Sequence, residues 1–409
     1  MQFFALDQML PNDHRARSIW QFVDSLDLFL LYQQIKAVEG HAGRDPVDPK
    51  ILLALWLLAT TEGIGSARKL ADLCTRDLAY MWICGDVGVN HHLLSDFRTA
   101  PVEFLDQLLT DSVATLLHQD LISLERVSQD GMRVRAHAGS SSFRRRKTLK
   151  KCQQEAQEQV DALRAEQEAD SSACDRRTQA ARERGARERK ERVEKALQEL
   201  GEVEAKMEKR KKSSSETARA STTDPEARRM KMACGGFRPA YNVEFATTNN
   251  TRVIVGVSVI NSGSDGGQMS PMIDQIEERF SQRPREYLVD GGFSTLEDIE
   301  LAEQAGTTVY APVKDEEKKR TQGEDPFARR KKDSDAIAHW REGMGTTEAR
   351  EKYRERASTA EYPNAVCRNR GLQQFLVRGL RKVKAVALWH ALAYNLTRIS
   401  ALHAPIPET

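Results

Sequence analysis

The sequence predicts a mixed α/β fold, α+β in arrangement: one mixed sheet flanked by helices, preceded by an all-helical N-terminal region and interrupted by a charged helical insertion. Three observations predict it. Up to about residue 120, apolar residues recur at three-to-four spacing. Residues 121–139 and 239–263, and shorter runs after them, alternate apolar with polar residues. Between these, residues 143–232 are rich in Glu, Arg, Lys, Gln and Ala, with some sixty residues almost free of Pro and Gly. The chain of 409 residues therefore divides into a helical N-terminal domain (1–120), a discontinuous sheet domain (121–142 and 233–409) and an insertion (143–232).

In the first domain Trp20, Val23, Leu26, Phe29 and Leu30 set one helical pattern, and residues 48–58 repeat it. Gly63-Ile64-Gly65-Ser66 is a turn that ends in a plausible N-cap, followed by an amphipathic helix over 67–74 and short helices at 77–82 and 91–97. Two readings fit: a helix-turn-helix that binds DNA, or a helical bundle with no DNA contact. The longest apolar run, residues 51–60, is too short to span a bilayer. The start, MQFFALDQMLPNDHR, has no basic segment followed by a long apolar one. The six cysteines, Cys74, Cys84, Cys152, Cys174, Cys234 and Cys367, include no CxxC pair, which argues against a zinc site or a disulfide framework. These features point to a soluble chain in a reducing, cytoplasmic compartment.

LISLERVSQDGMRVRAHAG reads as a strand, a tight Asp130-Gly131 turn and a second strand, with Asp130 at the end of the first. In the insertion, Val193, Leu197, Leu200, Val203 and Met207 recur at spacings of four and three, the seam of a helical hairpin or coiled coil. The serines at 213–215 and STTDP at 221–225 close it as loop. Two strands around TTNNT follow, then a helix over 268–280, a strand at 287–290 ending in Asp290, a helix over 294–305 and a strand at 307–313. A charged, flexible stretch reaches about Ser334, and the chain ends in helical sequence that includes 374–377 and 385–396.

Asp130 and Asp290 both stand at predicted strand ends and both precede glycine. A carboxylate there points into the crevice above a sheet, where open α/β sheets place ligands. The ordinary reading is that Asp-Gly is a common turn. Glu361 is the third acid, on a late helix. Hard divalent cations prefer carboxylate oxygen, and a two-metal site needs about three such groups. The ordinary reading of Glu361 is a capping box with Ser358, with Pro363 in the first turn of the helix.

Without its insertion, the element order resembles a ribonuclease-H-like sheet. The motifs carry the resemblance further. VDPKILLALWLLATTEGIGSARKLADLCTRDLAYMW, VSQDGMRVRAHAG, STTDPEARRMKM leading to PAYNVEFAT, YLVDGGFS and FLVRGLRKVKAVALWHALAYNLTRI resemble segments of the DDE transposases of bacterial insertion sequences. Tyr353-x2-Arg356-x4-Glu361-x6-Arg368 resembles the Tyr-Arg-Glu-Lys signature of that family, with Arg368 where lysine is usual and one extra residue before Glu361. The resemblance implies a transposase that cleaves DNA and transfers its strands. Asp130, Asp290 and Glu361 would hold two Mg²⁺ ions, for which Mn²⁺ would substitute, with Tyr353, Arg356 and Arg368 beside Glu361. It further implies double-stranded DNA as partner, a homodimer on DNA, a nucleoid-associated location, and no membrane or organic cofactor. A nuclease that does not join strands and a non-catalytic DNA-binding descendant are the alternatives.

Arg144, Arg145, Arg146 and Lys147 open a run in which six of eight residues to Lys151 are basic. Full phosphate contact there would give a salt slope of roughly −5; a solvated helix start beside acidic partners is the other reading. Arg378, Arg381, Lys382 and Lys384 form a second basic cluster, also read as DNA-facing. Asp265, in SGSDGG, reads as a turn residue before an accessory acid. His91, His92 and His137 match no metal-ligand spacing.

Overall fold

A computed structural model describes residues 6–33, 35, 46–169, 176–210 and 215–402. Residues 1–5, Cys174 and the start of the serine run at 213–215 lie outside them. Among the described residues eight helices lead in: α1 (Leu6–Met9), α2 (Arg15–Asp24), α3 (Phe29–Tyr32), α4 (Pro49–Thr61), α5 (Ala67–Leu73), α6 (Leu78–Cys84), α7 (His91–Phe97) and α8 (Val102–His118). Asp48, Ser66, Asp77 and Asn90 cap α4 to α7 through their side chains, as turn-forming oxygens at helix starts do. Strand β1 (Arg126–Arg135) follows, then the short β2 (Phe143–Arg144), the long helices α9 (Arg146–Ala169) and α10 (Arg176–Arg210), and β3 (Ala220–Ser221). Next come β4 (Arg228–Lys231), β5 (Phe237–Thr248), β6 (Ile254–Ile260), α11 (Met269–Phe280), β7 (Glu286–Leu288), α12 (Leu296–Gln304) and β8 (Thr308–Tyr310). The chain closes with α13 (Glu316–Thr321), α14 (Asp335–Met344), α15 (Thr347–Asn369) and α16 (Leu380–Leu402).

The main sheet runs β6–β5–β1–β7–β8, with β4 pairing the other end of the β5 edge that β6 occupies. The β1–β5 and β5–β6 pairs are antiparallel; β1–β7 and β7–β8 are parallel. This is the ribonuclease-H-like arrangement that the sequence predicts. Strand β4 joins this sheet, although the sequence places it in the insertion.

The N-terminal helices share one continuous apolar core with the sheet, bridged by α16 against α4, α8 and β6. The hairpin of α9 and α10 has its own small core of Leu149, Ala196, Leu200, Ala218 and Ala220, with Leu197, Val203 and Met207 against it, so the predicted seam is present. Among the described residues no helix is long and apolar enough to cross a membrane.

Four local expectations are corrected. No turn occurs at Asp130-Gly131, because β1 runs straight through both. A side chain at Gly131 would lie 2.9 Å from Asp265 Oδ1 and 3.1 Å from the Asn242 amide, so the glycine serves close approach. Residues 374–377 are not helical; Phe375 N–H donates to Arg135 O and Arg135 N–H to Gln373 O, extending the sheet past β1. Gly371 and Gly379, with φ of +92° and +87°, separate this segment from the helices on either side. The stretch before Ser334 holds α13, and Asp333 there makes a buried bidentate pair with Arg341 at 2.8 and 3.1 Å. Finally, Glu361 is not at a helix start. Thr346 caps α15, Pro363 lies inside it, and the Ser358 hydroxyl donates to Glu355 O instead of capping.

Candidate active site

Parallel pairing sets Ser128 beside Leu288, so two residues further along both strands Asp130 comes level with Asp290, just beyond β7. On β1, Gln129, Gly131 and Arg133 pair with Ala246, Glu244 and Asn242 of β5 and share one face. Asp130 points to the other face, where α15 packs, and its Oδ2 accepts from Asn364 Nδ2 at 2.9 Å. Burial pushes the Asp130 carboxyl up to about 6; Arg356 and Asn364 oppose the rise and the charge of Asp290 adds to it. Asp290 Oδ1 accepts from Gly292 N–H at 2.7 Å, which fixes the bend after β7.

Helix α15 is tied to the sheet by charge. Lys352 reaches Glu286 at 2.6 Å, and Arg126 reaches both Glu286 at 2.5 Å and Glu355 at 2.7 Å. Its inward face repeats at helical spacing through Tyr353, Arg356, Ala360 and Asn364. Glu361 is one residue, about 100°, off that face. Its side chain is 61% exposed, whereas those of Arg356 and Asp130 are 11% and 18% exposed.

The Arg356 guanidinium stands between the two acids, Nη1 3.8 Å from Asp130 Oδ1 and Nη2 3.6 Å from Glu361 Oε1. In this conformation Glu361 does not reach the aspartates: among the described residues no group of three or more His, Cys, Asp or Glu side chains is gathered closely enough for a metal ion. The donor set nonetheless suits a hard cation, because every acid offers oxygen. Arg356 Nη1 and Asn364 Oδ1 are buried without hydrogen-bond partners, the signature of a site that takes up further polar groups.

Sequence reasoning missed the polar layer on the opposite face. Glu244, fully buried, accepts from Gln129 Nε2 at 2.8 Å and Asn242 Nδ2 at 3.0 Å. The same Asn242 nitrogen donates to Asp265 Oδ1 at 2.6 Å. Burial, with the nearby charge of Asp265, pushes Glu244 up to about 8 despite the two amide donors. Asp265 is thus more than a turn residue: a side chain at Gly292 would lie 3.2 Å from its Oδ2 and 2.9 Å from Asp290 Oδ1. Asn364 was missed too, although its spacing of eight from Arg356 marks the same helix face.

Of the other predicted residues, Tyr353 stays at the site and the rest are dispersed. Tyr353 is partly buried beside Arg356, and burial raises its phenol above the usual range. Arg368 lies in the last turn of α15. Arg144, Arg145 and Lys147 are exposed at the base of the hairpin, while Arg146 is paired with Glu204. Arg381 pairs with Glu103 at 2.8 Å, Arg378 donates to His137 O at 3.3 Å, and Lys382 is exposed.

Comparison with known families decides the identity. A transposase domain (DUF772) matches residues 4–100, and a transposase DDE domain matches residues 213–396. The chain belongs to the DDE transposases of insertion-sequence type. Asp290 and Glu361 fall within the DDE match, and Asp130 lies between the two matched spans. No curated protein and no solved structure matches the chain. As a transposase of this family it is a DNA-binding, DNA-cutting kind of enzyme, and divalent metals are general in that family.

Proposed function

We propose that this transposase cleaves the ends of its own element and joins them to target DNA, with Asp130, Asp290 and Glu361 as ligands of two Mg²⁺ ions. The observation that carries the reading is the level placement of Asp130 and Asp290 at adjacent parallel strands, with Arg356 bridging Asp130 to Glu361. Bound Mg²⁺ would lower the pKa of the attacking water or 3′-hydroxyl and stabilise the leaving oxygen. Arg356 has long contacts and an unpartnered buried Nη1, so a DNA phosphate offers it better bidentate partners. Its transfer to that phosphate frees Asp130 and Glu361 to turn towards each other. Asn364 holds Asp130 in orientation throughout. The basic residues Arg144, Arg145, Lys147 and Lys382, exposed on the surface, are proposed to contact DNA. Two element ends must be held together, so a homodimer on DNA is part of the proposal.

The test is a reaction of purified protein with Mg²⁺ and DNA carrying the terminal repeats of the element. The proposal expects free 3′ ends that then appear covalently joined to a target plasmid, with Mn²⁺ also supporting the reaction. Cleavage without joining would make it a nuclease. Specific binding without cleavage, unchanged by Asp290→Asn, would make it a non-catalytic binder.

A further inference from the structure

Between the N-terminal helices and the segment joining α15 to α16 lies a cavity of about 450 Å³. None of the acids of the candidate active site lines it, and among the described residues no Asp or Glu does. Three cations do: Lys69, Arg98 and Arg370. None of the three forms an ion pair with a described acid. Lys69 is exposed at the mouth, on α5 directly after the Gly63–Ser66 turn.

Arg98 is only 8% exposed. Its Nη1 donates to Gly65 O and its guanidinium lies over the Trp56 ring at 5.3 Å, but its buried Nε has no partner. His390 lines the same cavity, equally buried, and its Nδ1 has no partner either. Burial and the charge of Arg370 press His390 down to about 3, so the ring is neutral and keeps one N–H to donate. A buried cation and a buried imidazole with unused nitrogens are costly unless something answers them. The walls are fixed: Trp389 Nε1 donates to Arg98 O at 2.9 Å, and the backbones of Gly63 and Gly371 approach so closely that a side chain on either would meet the other loop at 3.2–3.3 Å.

The geometry points to a binding site for a phosphate-class oxyanion in this cavity, with Arg98 and His390 in its wall and Lys69 and Arg370 beside its approach. Planar guanidinium donors and a lysine at the rim are the groups that recognise phosphate. The phosphate has two chemical sources, the DNA backbone and free phosphate. The site does not depend on the metal reading, and its test does not use cleavage.

The full chain is titrated with inorganic phosphate by calorimetry at constant ionic strength, with chloride as the control anion, and then with a short DNA duplex. Saturable binding of one phosphate per chain is expected, weakened about tenfold by Arg98→Lys and by Lys69→Gln, the loss of one charge-assisted hydrogen bond. Lys69 is exposed, so its variant keeps the fold even where Arg98→Lys does not. If the duplex displaces phosphate and Lys69→Gln makes the salt dependence of duplex binding shallower by about one charge, the ligand is backbone phosphate. If the duplex binds without displacing phosphate, the ligand is free phosphate or a small ester. No binding beyond that of chloride, or binding unaltered by Lys69→Gln, overturns the proposal.

Discussion

Helices α15 and α10 are written in much the same letters, Glu, Arg, Lys and Ala, but they spend their charges differently. Over residues 182–194 of α10 the ion pairs are local and largely exposed: Arg192 with Glu188, Lys190 with Glu194 and Arg187 with Glu183 along the helix, and Arg189 with Glu155 and Arg182 with Glu166 across the hairpin; only nearer its C-terminal end do Glu199 and Glu204 reach Arg228 and Arg146 outside it. On α15, beside the local pairs Lys352–Glu348 and Arg356–Glu361, partly buried pairs reach distant strands: Lys352 with Glu286, Arg126 with Glu355, and Arg356 with Asp130. Composition thus says little about role. A charged helix becomes part of a site when its partners come from distant strands and water is kept away, because only then do the pairs fix one geometry.

The largest break in this comparison comes from the sheet side. Asp290→Asn should slow DNA cleavage by on the order of 10³-fold or more, since it removes a proposed metal ligand worth several kcal/mol, while thermal melting stays near that of the wild type. Next is Glu286→Ala, which leaves Arg126 and Lys352 without their shared partner. It should cost about 2 kcal/mol in denaturant melts, less than the about 3–5 kcal/mol of a fully buried pair, because Arg126 and Lys352 are 24% and 23% exposed. Loss of much less than 1 kcal/mol would mean that α15 is held by apolar packing alone.

Glu244 sharpens the comparison through pH. Its folded value, about 8, lies above its ordinary 4.5. The unfolded chain therefore releases this proton first, and the stability that Glu244 contributes is full below about 4.5 and lost as pH rises through about 8. Glu244→Gln keeps the shape and removes the charge, and the unpartnered Asn242 Oδ1 can turn to accept from the new amide. The variant should melt several degrees above the wild type near pH 8 and close to it near pH 5. Parallel melting curves across that range would contradict the assignment. The smallest effect belongs to the hairpin: Arg192→Ala, at an exposed i,i+4 pair of 3.6 Å, should shift stability by less than about 0.5 kcal/mol.

The sheet was legible because β5 alternates apolar with polar residues and β6, β7 and β8 are short apolar runs bounded by turn residues, and the hairpin because its seam repeats every three or four residues. The site was legible only in part. Asp290 ends its strand as its letters suggest. Asp130-Gly131 carries a turn signal, yet the glycine is there because Asp265 and Asn242 occupy the space of its side chain. Pro363 suggests a helix start but lies within α15, whose length depends on anchors at Glu286 and Asp130, far away in sequence. Asn242 and Glu244 alternate with apolar residues as a solvent-facing strand edge would, and both are buried. Nothing local to β5 states that α11 and the Asp265 loop cover that face.

In the proposed mechanism Glu361, exposed and beside Arg356 in this structure, joins the two aspartates on metal when DNA binds. Counting Mn²⁺ ions bound per chain in the element-end DNA complex by electron paramagnetic resonance tests it most directly. Two ions are expected for the wild type and one or none for Glu361→Gln, with DNA affinity unchanged. Two ions in both proteins would contradict it.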